Sequence, residues 1–251
     1  MRYALKFAYN GFGFHGYARQ PDLKTIEGDI IKNLIKNGIF EDTKEADFRS
    51  ASRTDKDVSS LGNVVAFNSE LTKNEIFNNI KNSSDEIVFF AINAVSDNFN
   101  PRFAKQRHYR YYLENNNYDL DRILSILSCF IGTHDFTNFA RVEEFKNPVR
   151  NIENILIEKG KKYILIDFFA PNFLWSQIKR IISATIKCLK EKIAKEEIVE
   201  ALNNPEKNVD FGSADSKPLI LLNIFYDFEF EIDKDQIKKV KKLEESIIQE
   251  L

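Results

Sequence analysis

The sequence predicts an α+β protein made of two related halves, and three observations lead there. Tyr3, Leu5, Phe7 and Tyr9 occupy alternate positions, the period-two pattern of a half-buried strand. Ile178, Ile181, Ile182, Thr185, Ile186 and Leu189 recur at intervals of three and four, the pattern of a helix with one apolar face. Along the chain the order is strand, helix, strands, helix, strand, and then much the same again. Helices and strands seldom alternate one to one, which favours α+β over a doubly wound parallel sheet. The repeat in that order places a boundary near Asn100–Lys105, giving an N-terminal half over residues 1–104 and a C-terminal half over 105–251.

The elements arise from local chemistry. After the first strand comes a glycine-rich turn, and Thr25 then stands where a side chain caps a helix bearing Ile26, Ile30, Ile31, Leu34 and Ile35. Gly38 suits its end. Short strands are expected near Phe48 and over Asn63–Phe67, a helix over Thr72–Asn82, and strands over Ile87–Val95 and Arg107–Leu113. Leu120, Ile123, Leu124, Leu127 and Phe130 form a helical stripe. Ile152–Ile157 and Tyr163–Phe169 read as a hairpin about Lys159-Gly160-Lys161. After the helix around Ile178 come a shorter one over Lys195–Asn203, a strand over Leu219–Glu231 and an amphipathic terminal helix.

Composition bounds the function. Hydrophobic residues make up 43% and charged residues 29%, a globular balance rather than a disordered one. No apolar run approaches the ~20 residues of a membrane span, and the opening residues run straight into a strand pattern with no signal peptide, so a cytoplasmic location is expected. Cys129 and Cys188 both lie in apolar helical patterns, which suggests buried thiols rather than a disulfide or metal site. Net charge is −2, yet residues 1–20 hold Arg2, Lys6 and Arg19 without an acid. Residues 101–112 hold Arg102, Lys105, Arg107 and Arg110 without one, and Phe173–Lys190 repeats the pattern. A near-neutral total is therefore compatible with one basic face.

Gly11-Phe12-Gly13-Phe14-His15-Gly16 has the spacing of a dinucleotide-binding turn. Its context is wrong, because Pro21 breaks the helix that should come next and no acid closes a second strand at the expected distance. A glycine turn at a strand end is the better reading. A second polar loop, Ser52-Arg53-Thr54-Asp55, would pass for a surface turn were it not trailed by Val58 and then Gly62-Asn63-Val64-Val65-Ala66-Phe67. Together these resemble the signature loop and strand of the TruA-type tRNA pseudouridine synthases. Further blocks match that family in order: Tyr9-Asn10-Gly11 through Gln20, Thr25–Gly28, Phe99 through Tyr111, Gly132–Phe139, Phe173–Lys179, and Leu219 with Leu221. The resemblance runs from about residue 3 to residue 230.

The resemblance implies two similar α/β-sandwich halves with mostly antiparallel sheets meeting at a central active-site cleft. It implies isomerisation of uridine to pseudouridine in the anticodon arm of tRNA, at nucleotides 38 to 40, without metal or cofactor, by a chain that forms a homodimer. Asp55 is then the nucleophile, Lys179 its cationic partner, and Tyr109 the ring that packs on the uracil. An aspartate is ionised at neutral pH, and a cation keeps it so in a closed pocket. Arg53 holds the RNA backbone, and Arg102, Lys105, Arg107, Arg110 and Arg180 are phosphate contacts in the same reading. The histidines carry no chemistry. Departures from the family pattern are Asn10, Lys56, Asp57, Ser59-Ser60, Lys179 (with Arg180 beside it) and Pro218. Lys56 and Asp57 flank the nucleophile and keep a second reading open, a non-catalytic RNA-binding protein on the same scaffold. A dinucleotide-dependent oxidoreductase rests on the glycines alone.

Overall fold

The computed structural model describes all of residues 1–251. β1 (Arg2–Tyr9) leads to α1 (Ile26–Lys36), β2 (Arg49–Ser50), β3 (Ser59–Asn68), α2 (Lys73–Ile80) and β4 (Ile87–Val95). Then come β5 (Gln106–Glu114), α3 (Leu120–Leu127), the short β6 (Gly132–Asp135) and β7 (Val149–Ile152), β8 (Asn154–Lys159) and β9 (Tyr163–Ala170). α4 (Gln177–Leu189), α5 (Lys195–Asn203), β10 (Leu219–Phe225) and α6 (Gln236–Gln249) complete the order. Strand pairs are mostly antiparallel, with β3 and β10 parallel, so the class is α+β.

The chain divides into two compact units, Met1–Lys105 together with Ile220–Leu251, and Gln106–Leu219. Residues 220–251, expected with the C-terminal half, thus lie in the first unit. The cause is non-local. Ile220 and Leu221 pair with Ser59 and Ser60, and α6 packs on β4. Gly62 permits the approach, since a Cβ there would stand 2.7 Å from the Leu222 carbonyl oxygen.

In the first unit the strand order is β4-β1-β3-β10, with β2 on β3. Tyr3, Leu5, Phe7 and Tyr9 line one face of β1 and join Ile26, Ile30 and Leu34 of α1 and Ile76 and Ile80 of α2 in one core. Thr25 caps α1 by accepting from the Gly28 amide, and Thr72 with Glu75 forms a capping box on α2. Each such cap contributes roughly 1 kcal/mol. The strand expected to reach Glu231 stops at Phe225. Beyond it Tyr226 stacks on Phe228, Phe230 packs at an angle against both, and Phe99 meets the first two edge-on. Alternation in a sequence reports one-sided burial, and here aromatic stacking achieves that without a ladder.

In the second unit β9 lies between β5 and β8, and β6 pairs with β7. α3 packs on α4, while Phe139 stands between Phe130 and Phe211 at 5.0 Å from each ring. Cys188 is buried as expected, but Cys129 falls in a 3-10 turn and is only half-buried.

Candidate active site

Asp55 lies on the loop between β2 and β3, and the first unit grips that loop from several sides. The Thr54 hydroxyl is 2.8 Å from the Tyr9 hydroxyl in the interior, and the Thr54 carbonyl accepts from the Tyr17 amide at 3.1 Å. The Ser52 carbonyl accepts from the buried Asn63 side chain at 2.9 Å. Val58 N–H donates to the Asp55 carbonyl and closes a turn in which Asp57 takes φ +65°. The glycines that imitate a dinucleotide motif form the wall of this loop. A Cβ on Gly11 would lie 2.4 Å from the Val58 carbonyl oxygen, and Gly16, at φ +94°, faces the main chain of Thr54, Asp55 and Lys56. The result is a half-buried Asp55 between exposed Arg53 and Lys56.

The second unit contributes a separate group. Ser176, at φ +58°, turns the chain into α4, where the Gln177 side chain accepts from the Leu174 amide at 2.8 Å. Lys179 comes within the first turn of the helix. It is 8% exposed, deeper than the edge position its spacing suggests, and its ammonium donates to the Ser216 hydroxyl at 3.1 Å. Its carbonyl accepts from the Ala214 amide. Tyr109 is equally buried, and its ring meets Phe173 edge-on at 5.4 Å. Ser216 carried no signal in the sequence, because 37 residues separate it from Lys179.

The remaining cations divide into two sets. Arg53, Arg102 and Lys105 are exposed, and Lys105 makes only a loose 3.6 Å approach to an exposed Asp227. Arg107, Arg110 and Arg180, expected as phosphate contacts, each already hold a protein partner. Arg107 is buried on the same face of β5 as Tyr109 and donates to the Pro171 carbonyl. Arg110 stands opposite Asp167 on β9 and grips it with two bonds of 2.8 Å, while His108 holds the same carboxylate. Burial pushes the Asp167 carboxyl up, but the bonds from His108 and Arg110 outweigh it and leave it below the usual range. Arg180 pairs with Asp210 at 2.8 Å. Strand alternation and pairing set the partners of Arg107 and Arg110, and a count of charges along the chain does not reveal them.

A family model described as tRNA pseudouridine synthase matches residues 126–227. The tRNA pseudouridine synthase A of Thermococcus sibiricus is 41% identical over 96% of this chain and 91% of its own length. The chain belongs to the tRNA pseudouridine synthase family. The tRNA pseudouridine synthase A proteins of Pyrococcus furiosus and Methanobrevibacter smithii are 38% and 36% identical, over 96% and 90% of this chain and 90% and 83% of their own. Against solved structures the likeness is low: an H/ACA RNP bound to a substrate RNA containing 2'-deoxyuridine gives a TM-score of 0.39 at 9% identity, over 73% of this chain and 43% of that one.

For a tRNA pseudouridine synthase family member, the departure at Asp57 has a physical reading. Where the family pattern has glycine, this chain holds an aspartate in the left-handed conformation that glycine accepts most readily, and Asp is among the few other residues that visit it. The loop therefore keeps a glycine-type turn without glycine. No three His, Cys, Asp or Glu side chains are grouped to hold a metal ion, and no helix is long and apolar enough to cross a membrane.

Proposed function

We propose that this member of the tRNA pseudouridine synthase family isomerises uridine in the anticodon arm of tRNA, at nucleotides 38 to 40, with Asp55 as the nucleophile. Isomerisation of uridine in tRNA comes with membership. The position in the tRNA and the residue roles are carried over from the resemblance. In the reaction the bond from N1 of the base to C1′ of the ribose breaks, C5 of the same base bonds to C1′, and a proton leaves C5 as one is taken up at N1. Nothing is added or lost overall, so the protein must hold the detached base and sugar, and in this reading it also supplies a carboxylate. Asp55 either bonds to the sugar or stabilises its developing charge.

The observation that carries the reading is the Asp55 loop. A half-buried carboxylate is held there by the main chain of Thr54, the Tyr9–Thr54 hydroxyl pair and two close-packed glycines. Such preorganisation is what covalent chemistry at a fixed atom requires. In this reading Lys179 is the cationic partner of Asp55. Such a pairing would let an ammonium and a carboxylate each offset part of the other's desolvation. Tyr109, braced edge-on by Phe173, offers the uracil a ring face. Arg53, Arg102 and Lys105 contact phosphates, while Arg107, Arg110 and Arg180 support the scaffold. The non-catalytic alternative rests on Lys56 and Asp57, and the turn retained at Asp57 removes half of its motive. A homodimer acting in the cytoplasm completes the reading, and light scattering tests the dimer.

The deciding experiment maps pseudouridine in unmodified tRNA treated with the wild type and with Asp55→Ala. Wild type is expected to mark nucleotides 38 to 40. The variant is expected to mark none while binding tRNA within a few-fold of wild type. Appreciable turnover by Asp55→Ala would remove Asp55 from the chemistry.

A further inference from the structure

We propose that Trp175, with Arg141 stacked on it, is a platform on which an unpaired base of the substrate tRNA stacks next to the target uridine. The identity of the partner rests on the function proposed above; the platform itself rests on the second unit's own geometry.

Trp175 is the chain's single tryptophan, and it is 51% exposed. The segment that carries it is firmly held. Its carbonyl accepts from the Arg141 amide at 2.8 Å, and the two residues form an antiparallel bridge. On one side the Leu174 amide donates to the side chain of Gln177, which is only 1% exposed. The Arg141 guanidinium lies 4.9 Å from the ring centroid, and Arg141 is itself exposed. A large aromatic and a cation are thus fixed together at the surface by a backbone hydrogen bond before any partner arrives.

That pair of chemistries suits single-stranded nucleic acid. Every base has a π face that stacks on an aromatic ring, an arginine adds a cation–π contribution, and the same guanidinium meets a phosphate oxygen. Bases in a duplex offer no free face, so the partner is an unpaired nucleotide. An apolar protein surface is a poorer match, because the ring's neighbour is a charged guanidinium. The 141–149 segment adds exposed Phe145 and Lys146, with Glu143 and Glu144 between them and Arg141. Position points the same way. Trp175 lies two residues beyond Phe173, which braces Tyr109, and four before Lys179. It therefore lies close along the chain to groups that the function assigns to the uridine.

Because Trp175 is the only tryptophan, its fluorescence reports on the platform directly. Titration of the wild-type protein with unmodified tRNA should quench that emission saturably, with the midpoint found by filter binding. Trp175→Leu keeps an apolar side chain and removes the ring. It should raise the Kd and KM for tRNA about tenfold, with kcat changed by no more than about twofold and the melting temperature close to wild type. Trp175→Phe should recover most of the affinity. Tight tRNA binding with unchanged emission overturns the platform and leaves the proposed function standing, as does wild-type affinity in a folded Trp175→Leu. A wild-type protein that binds no tRNA overturns both. Should the leucine variant fail to fold, the wild-type titration still decides.

Discussion

Lys179 and Arg180 are adjacent cations on α4, and the fold uses them in opposite ways. Lys179 is drawn inward to the Ser216 hydroxyl, whereas Arg180 turns to Asp210, itself 70% exposed. One residue of rotation about a helix is about 100°, enough to move a side chain from one face to another. Lysine supplies charge without the planar fork of arginine, so in the proposed pairing with Asp55 it would orient the carboxylate less rigidly. Lys179→Met, which keeps the stem and removes the charge, should abolish most turnover with little loss of folding stability. Arg180→Met should keep turnover and lose under about 1 kcal/mol, the ordinary worth of a surface pair. Single-turnover pseudouridine formation and thermal melting on the same samples separate them. An inactive Arg180→Met beside an active Lys179→Met would shift the partner by one residue.

At the scale of elements, the turn after β1 and the loop before β3 act as one piece. Gly11 and Gly16 make room, Thr54 bonds to both Tyr9 and Tyr17, and Asp57 takes the left-handed turn. The departure at Asp57 is then a matter of backbone geometry. Asp57→Gly should leave turnover and stability near wild type. Asp57→Val, which cannot reach φ +65° without strain, should lose about 1–2 kcal/mol in urea denaturation and with it much of the activity. If Asp57→Gly is folded but inactive, the site uses the carboxylate as well as the turn. β5 shows the same dependence on geometry: alternation sends Arg107 and Tyr109 to one face, and pairing with β9 brings Arg110 to Asp167.

For the whole molecule, charge placement matters more than the net −2. The affinity for tRNA should fall steeply with salt, and each phosphate-binding cation removed should flatten the log–log slope by roughly 0.7–0.9. Arg53→Ala and Lys105→Ala should do so, whereas Arg110→Ala should lower the melting temperature and leave the slope alone. A salt-insensitive wild type would end the case for a basic face. Lys6 makes a different global prediction. It is 7% exposed, bonded to the Asn223 side chain and the Ile224 carbonyl, with the Phe230 ring 4.9 Å away. Burial lowers its pKa to about 8 from 10.5. Below about pH 8 both folded and unfolded chains carry the proton and the full desolvation penalty is present. Between about 8 and 10.5 the unfolded chain holds more protons, so Lys6 makes stability rise with pH, by roughly 3 kcal/mol in total. Comparing denaturation of wild type and Lys6→Met from about pH 7 to about 10.5 isolates this slope. Parallel curves would show that burial leaves the proton affinity of Lys6 unchanged.

Local patterning by itself determined the α+β class, the cap at Thr25, the hairpin of β8 and β9, and the Arg53-Thr54-Asp55 loop. These depend on residues close in the chain, where periodicity and side-chain chemistry are legible. The motif blocks, read in order, also pointed to the family. Tertiary structure alone decided the rest. It returned β10 and α6 to the first unit, ended β10 at Phe225 in favour of aromatic stacking, and put Ser216 on Lys179. It gave Arg107, Arg110 and Arg180 protein partners that the charge pattern does not show. A cation's role depends on what lies opposite it across a sheet or a helix face. That neighbour is set by the pairing of distant segments, which a linear pattern does not encode.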